Sequence, residues 1–397
     1  MKGQTNNPAN KKEVYSNLIK LKSIIKERKA DACIITSSVN QYWLCGFIFD
    51  GYIYITPNSI NEPILFVRRP FDLKDHRAIF IRKPEQIPAL LRESNLPIPQ
   101  NILIESDYLT FSTATRLKTA LNANEVLNVS TDMRSLRMFK SENDIQQMRK
   151  SAEIHTQVYN LIPTLYKKGM TDLELQIEIE REMRLHGSIG IFRSFGENMD
   201  IFMGSMLVGD NAQAASPYDY ALGGAGISPL LPLGANGTQL KPNTCLMVDM
   251  AGNYRPYMDD MSRTFAIENA PDIAYNAHQV SINIHNKVQQ IAKPGILCSE
   301  IYNLAFEIVM ENNLQEYFMG TTQQAKFIGH GVGLEINELP VITPRSKETL
   351  QAGMTFALEP KFVLPGIGAV GIENTYIVHK NGLENITLCN EEIVVLT

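Results

Sequence analysis

The chain has 397 residues, 44% hydrophobic and 20% charged, with a formal net charge of −5. That length accommodates two domains with full cores, and so ordinary a composition argues against nucleic acid or an anionic membrane as partner. No apolar run approaches the ~18 residues that span a bilayer. The polar start Met1–Lys12 reads as neither signal peptide nor anchor, and five cysteines without a C-x-x-C pair fit reduced thiols. A cytoplasmic protein is expected.

Residues 1–13 read as a polar tail. Leu18, Leu21 and Ile25 recur at helical spacing within Val14–Lys29, and Asp31–Thr36 reads as a buried strand. Tyr52–Thr56 and Pro63–Val67 form a predicted hairpin around Asn58–Asn61. Weaker alternation of helix and strand continues to about Arg134. Residues 14–136 are thus expected to form an α/β domain with no catalytic constellation of its own. The boundary falls near Arg134–Lys140, and residues 137–397 form the second domain.

Ser141-Glu-Asn-Asp144 has the form of a capping box, followed by one apolar helix face of Ile145, Met148, Ala152, His155, Tyr159 and Ile162. His155 on that face is expected to be a satisfied core histidine. A second helix opens at Thr171 and ends at His186-Gly187, where His186 faces the helix C-terminus. Lys167–Leu175 parallels Lys293–Ile301, and each lies between two helices and leads on to a hairpin bearing two carboxylates. Two similar halves of helix, turn, helix and hairpin would place both carboxylate pairs in one central cleft. Ser205–Pro242, rich in Gly, Ala and Pro, is expected to be a long loop over that cleft. His278 and His285 lie off the Ala277, Val280, Ile284, Val288 stripe of their helix, so solvent exposure is expected for both.

The chemistry concentrates in the last third. Leu246–Gly252 and Tyr257–Phe265 form a hairpin; a turn centred between Tyr254 and Arg255 sets Asp249 opposite Asp260. Directly opposed residues hold their Cβ atoms about 5 Å apart, so the two charges call for a cation between them. In the second hairpin, Glu359 and Glu373 are equidistant from Gly366. Between the hairpins the loop Gly329-His330-Gly331-Val332-Gly333 offers an imidazole. A lone acidic residue beside a turn is most often solvated, but here the flanks are apolar, and buried carboxylates need partners. Four carboxylates and one histidine suit Mn²⁺, Fe²⁺ or Co²⁺ better than a thiolate-bound structural zinc, and their number predicts two cations rather than one.

Asp249, Asp260-Met-Ser-Arg263-Thr264, Gly329–Gly333, Glu359-Pro360 and Glu373, in that order, resemble the metallopeptidases of the pita-bread fold: methionine aminopeptidase, aminopeptidase P, prolidase and their relative creatinase. Asn40-Gln-Tyr-Trp-Leu-Cys-Gly-Phe47 is similar to a stretch in the N-terminal domains of creatinase, prolidase and aminopeptidase P. The resemblance implies an α/β (α+β) chain: a creatinase-like N-terminal domain, then a C-terminal pita-bread domain with a pseudo-two-fold repeat. It implies two divalent ions, Mn²⁺ first, with Fe²⁺, Co²⁺ or Zn²⁺ as alternatives. Asp260 and Glu373 would bridge them, Asp249 completing one site, and His330 with Glu359 the other. Glu359 would act as general base, and a homodimer is expected.

The histidines that surround the metals in this family are replaced. None lies between His186 and His278, Lys326 stands four residues before His330, and Asn337 opens the Asn337-Glu338-Leu339-Pro340 element. Gly371 stands where prolidases carry an arginine, two positions before the last Glu. Asn337 and Lys326 are therefore the candidate substrate-polarising residues beside Glu359. The first reading is an Xaa-Pro aminopeptidase-like hydrolase with a peptide substrate. The alternatives are the same centre acting on a small non-peptide amide, or a family member turned binding module.

Overall fold

A computed structural model describes residues 11–58, 62–196, 199 and 203–397. The chain divides into a unit ending at Arg137 and a second running from Met138 to Thr397.

In the first unit, α1 (Lys11–Glu27) buries the stripe Leu18, Leu21 and Ile25. Next come β1 (Ala32–Ile35), α2 (Ser38–Cys45), β2 (Asp50–Ile55), β3 (Ile64–Arg69) and β4 (Ala78–Phe80). The unit closes with α3 (Ile87–Glu93), β5 (Asn101–Ile104), α4 (Phe111–Leu121), β6 (Glu125–Asn128) and α5 (Ser130–Arg137). The six strands form one mixed sheet in the order β4-β3-β2-β1-β5-β6. β2 and β3 pair antiparallel, as expected, through Tyr54 and Ile64; residues 59–61 of their turn lie outside the described residues. Asn40, completely buried, bridges Glu105 and Arg137 by side-chain hydrogen bonds. The Asn40–Phe47 stretch thus serves packing inside this unit.

The second unit consists of two similar halves. In the first, α6 (Glu142–Tyr159) starts at the expected capping box: Ser141 Oγ accepts from Asp144 N, and Asp144 Oδ2 accepts from Ser141 N. The short α7 (Ile162–Leu165) and α8 (Asp172–Leu185) follow, then β7 (Gly204–Val208), β8 (Cys245–Gly252) and β9 (Asp259–Ile267). The second half has α9 (Asp272–Ile291), α10 (Cys298–Glu311), β10 (Gly329–Gly331), β11 (Glu338–Val341) and β12 (Thr355–Leu358). It continues through β13 (Lys361–Leu364), β14 (Gly368–Gly371), β15 (Asn374–His379), β16 (Gly382–Asn385) and finally β17 (Val394–Leu396). Both inter-helix turns carry a left-handed glycine, Gly169 at φ 91° and Gly295 at φ 104°, so the repeat in sequence is also a repeat in conformation.

Each half has its own core. Val158, Ile162, Leu175 and Ile179 pack on Leu246, Val248 and Phe265. Val280, Ile284 and Val288 pack on Phe356, Leu358 and Tyr376. The sheets β17-β9-β8-β7 and β11-β10-β12-β15-β16 meet at a bridge between Ser262 and Glu373, beside the ribbon β13-β14.

Three expectations are corrected. In the first hairpin Asp249 pairs with Ser262, and Asp260 with Ala251. The turn is centred one residue later than expected, which slides the register by two. An even slip leaves both aspartates on the same face, now diagonal. Ser205–Val208 is strand rather than loop, because its buried residues pair along β8, Ser205 opposite Asp249. His278 and His285 are buried, not solvated, since α9 is covered on a second face by the strands that carry the acidic residues.

Candidate active site

The second hairpin is centred as expected. Lys361 pairs with Gly371 in one ladder and Leu358 with Asn374 in the next, both in the register that puts residues 359 and 373 abreast. At the break between the ladders, Glu359 N donates to Ile328 O and Glu373 N to Ser262 O. The two strands part there, and both carboxylates enter the space between the halves.

Strong backbone anchors hold them. Arg263, buried, donates to the carbonyl oxygens of Glu373, Thr387 and Asn390 and to Asn374 Oδ1. Thr264 Oγ1 donates to Gly371 O and accepts from Gly371 N. From α9 a polar stripe grips the same strands. Ser281 Oγ donates to Pro360 O and accepts from Ile372 N. His278 accepts from Gly371 N and reaches Glu391 O at 2.7 Å, while His285 contacts Tyr376 Oη at 2.8 Å and Ile372 O at 3.2 Å. Burial pushes the two imidazoles down, to about 4 for His278 and about 3 for His285. Both are neutral positioning residues missed by the sequence reading, although 278, 281 and 285 share one helix face.

The five candidate ligands come together in two overlapping groups, Asp260–His330–Glu373 and Asp249–Glu359–Glu373. His330 Nε2 lies 3.4 Å from Glu359 Oε1 and 3.8 Å from Asp260 Oδ2. Ser262 Oγ donates to Glu373 Oε2 at 2.6 Å. Among the described residues, Glu359 Oε1 and Glu373 Oε1 are buried with no hydrogen bond, His330 Nε2 standing 3.4 Å from the first as an ion-pair neighbour. Buried acceptors left bare are costly, and here they lie among other metal-ligating groups. A divalent ion fits the converging group Asp260, His330 and Glu373, with Glu359 Oε1 3.4 Å from His330 Nε2 able to join it.

The second group already contains a cation. Lys361 Nζ stands 2.7 Å from Asp249 Oδ2, 2.7 Å from Glu359 Oε2 and 3.1 Å from Glu373 Oε2, with its side chain fully buried. Burial alone would discharge the amine, but the three carboxylates outweigh it and hold its pKa well above the ordinary value. Burial and neighbouring carboxylates push Glu373 up to about 8. For Glu359 the same burial is overcome by Lys361 and His330, and it falls to about 2. Burial opposes the His330 imidazolium too, but Glu359 more than offsets it and His330 rises to about 9. The expectation of two bound cations thus meets a side-chain ammonium at one position. Lys361 could have been found in the sequence: residues 359 and 361 of an extended stretch point to one side.

The other candidates fall as follows. Asn337 Nδ2 donates to Phe195 O, and Phe195 N donates to Asn337 Oδ1, both at 2.7 Å. Glu338 pairs with the buried Lys140 at 2.9 Å. Lys326, exposed, lines a cleft of about 390 Å³ with Ser216, Tyr218, Asp219, Phe327 and Val341. That cleft adjoins the acidic centre, because Phe327 packs on the His330 ring and Val341 pairs with His330 across the β10–β11 ladder. At Gly371 a Cβ would come within 2.7 Å of Pro360 O, so a side chain there has no room. His155 lies in the core as expected, its Nδ1 2.8 Å from Asp259 Oδ2, but it is only half satisfied, because its Nε2 takes no hydrogen bond among the described residues. His186 Nδ1 caps α8 at Glu182 O, 2.8 Å away. All five cysteines are free thiols, and no helix of the described residues is long and apolar enough to cross a membrane.

Fold and site together define a two-domain pita-bread protein with an acidic centre between its halves. Residues 146–380 match metallopeptidase family M24, and residues 18–139 match the creatinase/prolidase N-terminal domain. The chain belongs to metallopeptidase family M24. Similar sequences include an uncharacterized peptidase of Staphylococcus aureus, 27% identical over 93% of this chain and 99% of the relative. Another is the Xaa-Pro dipeptidase of Pyrococcus horikoshii, 25% identical over 94% of this chain and 98% of that one. The fold is shared with an Xaa-Pro dipeptidase from Bacillus anthracis at TM-score 0.79 and 22% identity, over 96% of this chain and all of that one. It is shared too with an X-Pro aminopeptidase from Thermotoga maritima at TM-score 0.77 and 20% identity, over 95% and 99%.

Proposed function

We propose that this protein is a metal-dependent hydrolase that removes the N-terminal residue from peptides with proline in second place. The observation that carries the reading is the pair of buried oxygens Glu359 Oε1 and Glu373 Oε1, without a hydrogen bond among the described residues, beside His330 and Asp260. The names of the similar dipeptidase and aminopeptidase supply the substrate class. We also propose a homodimer, on the family resemblance alone.

A divalent ion at Asp260, His330, Glu359 and Glu373 would supply an acidified water and an electrophile for the scissile carbonyl. The chain supplies the rest. Glu359, held ionised, accepts the proton of the attacking water and returns it to the leaving nitrogen. Arg263, Thr264 and Ser281 fix the strands that carry the carboxylates. The substrate beyond its proline runs along the cleft past Phe327 to Lys326, whose charge meets the peptide's C-terminal side. With Gly371 unable to carry a gripping side chain, nothing at that position selects for a dipeptide. Asn337 binds the backbone of Phe195 through both ends of its amide, so its contribution as a carbonyl donor is small and turnover is slow.

The test is a panel of Xaa-Pro dipeptides and longer Xaa-Pro peptides offered to Mn²⁺-loaded wild type and to Glu359→Gln. Release of the N-terminal residue from the longer peptides is expected, with a loss of at least ~10² in Glu359→Gln. Failure to cut any peptide while metal is bound would replace this reading with a non-peptide amide substrate or a binding role.

A further inference from the structure

We propose that Lys361 is a built-in cation standing in for one of two metal ions, so that the centre holds a single divalent ion. This rests on the reading that the centre takes metal at all, and specifies how many.

The geometry is that of an occupied site. An ammonium has three N–H donors, and those of Lys361 go to three different acidic residues, at 2.7, 2.7 and 3.1 Å. An ion bound to Asp249 Oδ2, Glu359 Oε2 and Glu373 Oε2 would sit about 2.0–2.2 Å from each oxygen, in the same space as Nζ. The two cannot coexist.

Burial opposes withdrawal of the side chain. Every residue of β13 is buried. Lys361 is fixed by its pairing with Gly371 and by the hydrogen bond from Met319 N to Lys361 O. An ammonium removed from three carboxylates inside this core would be buried without compensation, which is strongly unfavourable.

The oxygens divide the same way. Lys361 takes the Oε2 atoms of Glu359 and Glu373, and Ser262 adds a second donor to Glu373 Oε2. Among the described residues the two Oε1 atoms take no hydrogen bond, Glu359 Oε1 facing His330 Nε2 at 3.4 Å. Glu373 converges with Asp260 and His330, and Glu359 Oε1 borders that group through His330, so a single ion would draw on these four residues. Charge agrees, because four carboxylates facing one ammonium and one divalent ion are left with a single excess negative charge.

The experiment counts ions. Full-length protein is stripped with chelator and re-equilibrated with Mn²⁺, and bound metal is measured by elemental analysis and by the Mn²⁺ paramagnetic resonance spectrum. Wild type should hold one magnetically isolated Mn²⁺ per chain. Lys361→Ala, which removes the ammonium and opens its space, should hold two that are spin-coupled. Asp249→Asn, altered only at the lysine's position, should still hold one, and Asp260→Asn should lose it. Two ions in wild type, or one in folded Lys361→Ala, would overturn the inference while leaving the metal centre standing. If Lys361→Ala does not fold, the Asp249→Asn arm decides, and loss of the ion there overturns the proposal. No ion in wild type or in Lys361→Ala would overturn the metal reading itself.

Discussion

Lys361 Nζ and Asp249 Oδ2 lie 2.7 Å apart, joining the second half's hairpin to the first half's. The contact links residues 112 positions apart in sequence. It ties the two carboxylate-bearing hairpins together at the point where metal would otherwise be required to do so. The stability of the metal-free protein should therefore depend on this lysine. Lys361→Met keeps the bulk and removes the charge, leaving three carboxylates facing one another. The expected loss is about 3–5 kcal/mol, the usual cost of stripping one partner from a buried ion pair. Denaturant unfolding of chelator-treated wild type and variant measures it, and a loss below about 1 kcal/mol would contradict the role.

The cleft makes a separable prediction. Lys326 is exposed on the cleft wall, and the proposed reading gives it a part in binding rather than in the bond-breaking step. Lys326→Ala should raise KM for Xaa-Pro peptides with a free C-terminal carboxylate by roughly threefold to tenfold, with kcat unchanged. The effect should shrink as ionic strength rises. A fall in kcat at constant KM would move Lys326 into the chemistry and out of the cleft wall.

His285 and His278 give the fold a pH signature. Both are buried as neutral imidazoles, His285 with its pKa lowered to about 3 and His278 to about 4. An unfolded histidine protonates near pH 6.5. Between that value and the folded pKa, only the unfolded chain takes up the proton. Stability is therefore complete above about pH 6.5 and declines as pH falls, by about 1.4 kcal/mol per pH unit for each residue. His285→Gln should be less stable than wild type at neutral pH yet lose about 2 kcal/mol less between pH 6.5 and 5. Parallel pH profiles for the two proteins would show that His285 does not titrate this way.

Much of this architecture can be read from residue order alone, and the failures are instructive. The second hairpin is legible because its turn, Leu364–Gly368, is short and glycine-rich, leaving one reasonable centre. The first is not, since six residues, 253–258, separate its strands, and a turn of that length leaves the register open. Two carboxylates on one face remain on one face after an even slip, so Asp249 and Asp260 still face the same side. Lys361 is not legible in the sequence as a buried cation, because a lysine two residues from a carboxylate is most often a surface ion pair. Its position at the head of Lys361-Phe-Val-Leu, a strand with no exposed residue, is what buries it. His278 and His285 are not legible as buried because α9 shows one apolar stripe in sequence, whereas a helix between two layers buries two faces.

The most direct test of the account joins function to metal count in one titration. Metal-free wild type receives increasing equivalents of Mn²⁺ at protein concentrations well above the dissociation constant, and the release of the N-terminal residue from an Xaa-Pro tripeptide is followed. The rate should rise linearly and stop rising at one equivalent per chain. A plateau at two equivalents would contradict the role given to Lys361, and no release at any equivalence would contradict the assignment as a metal-dependent peptidase.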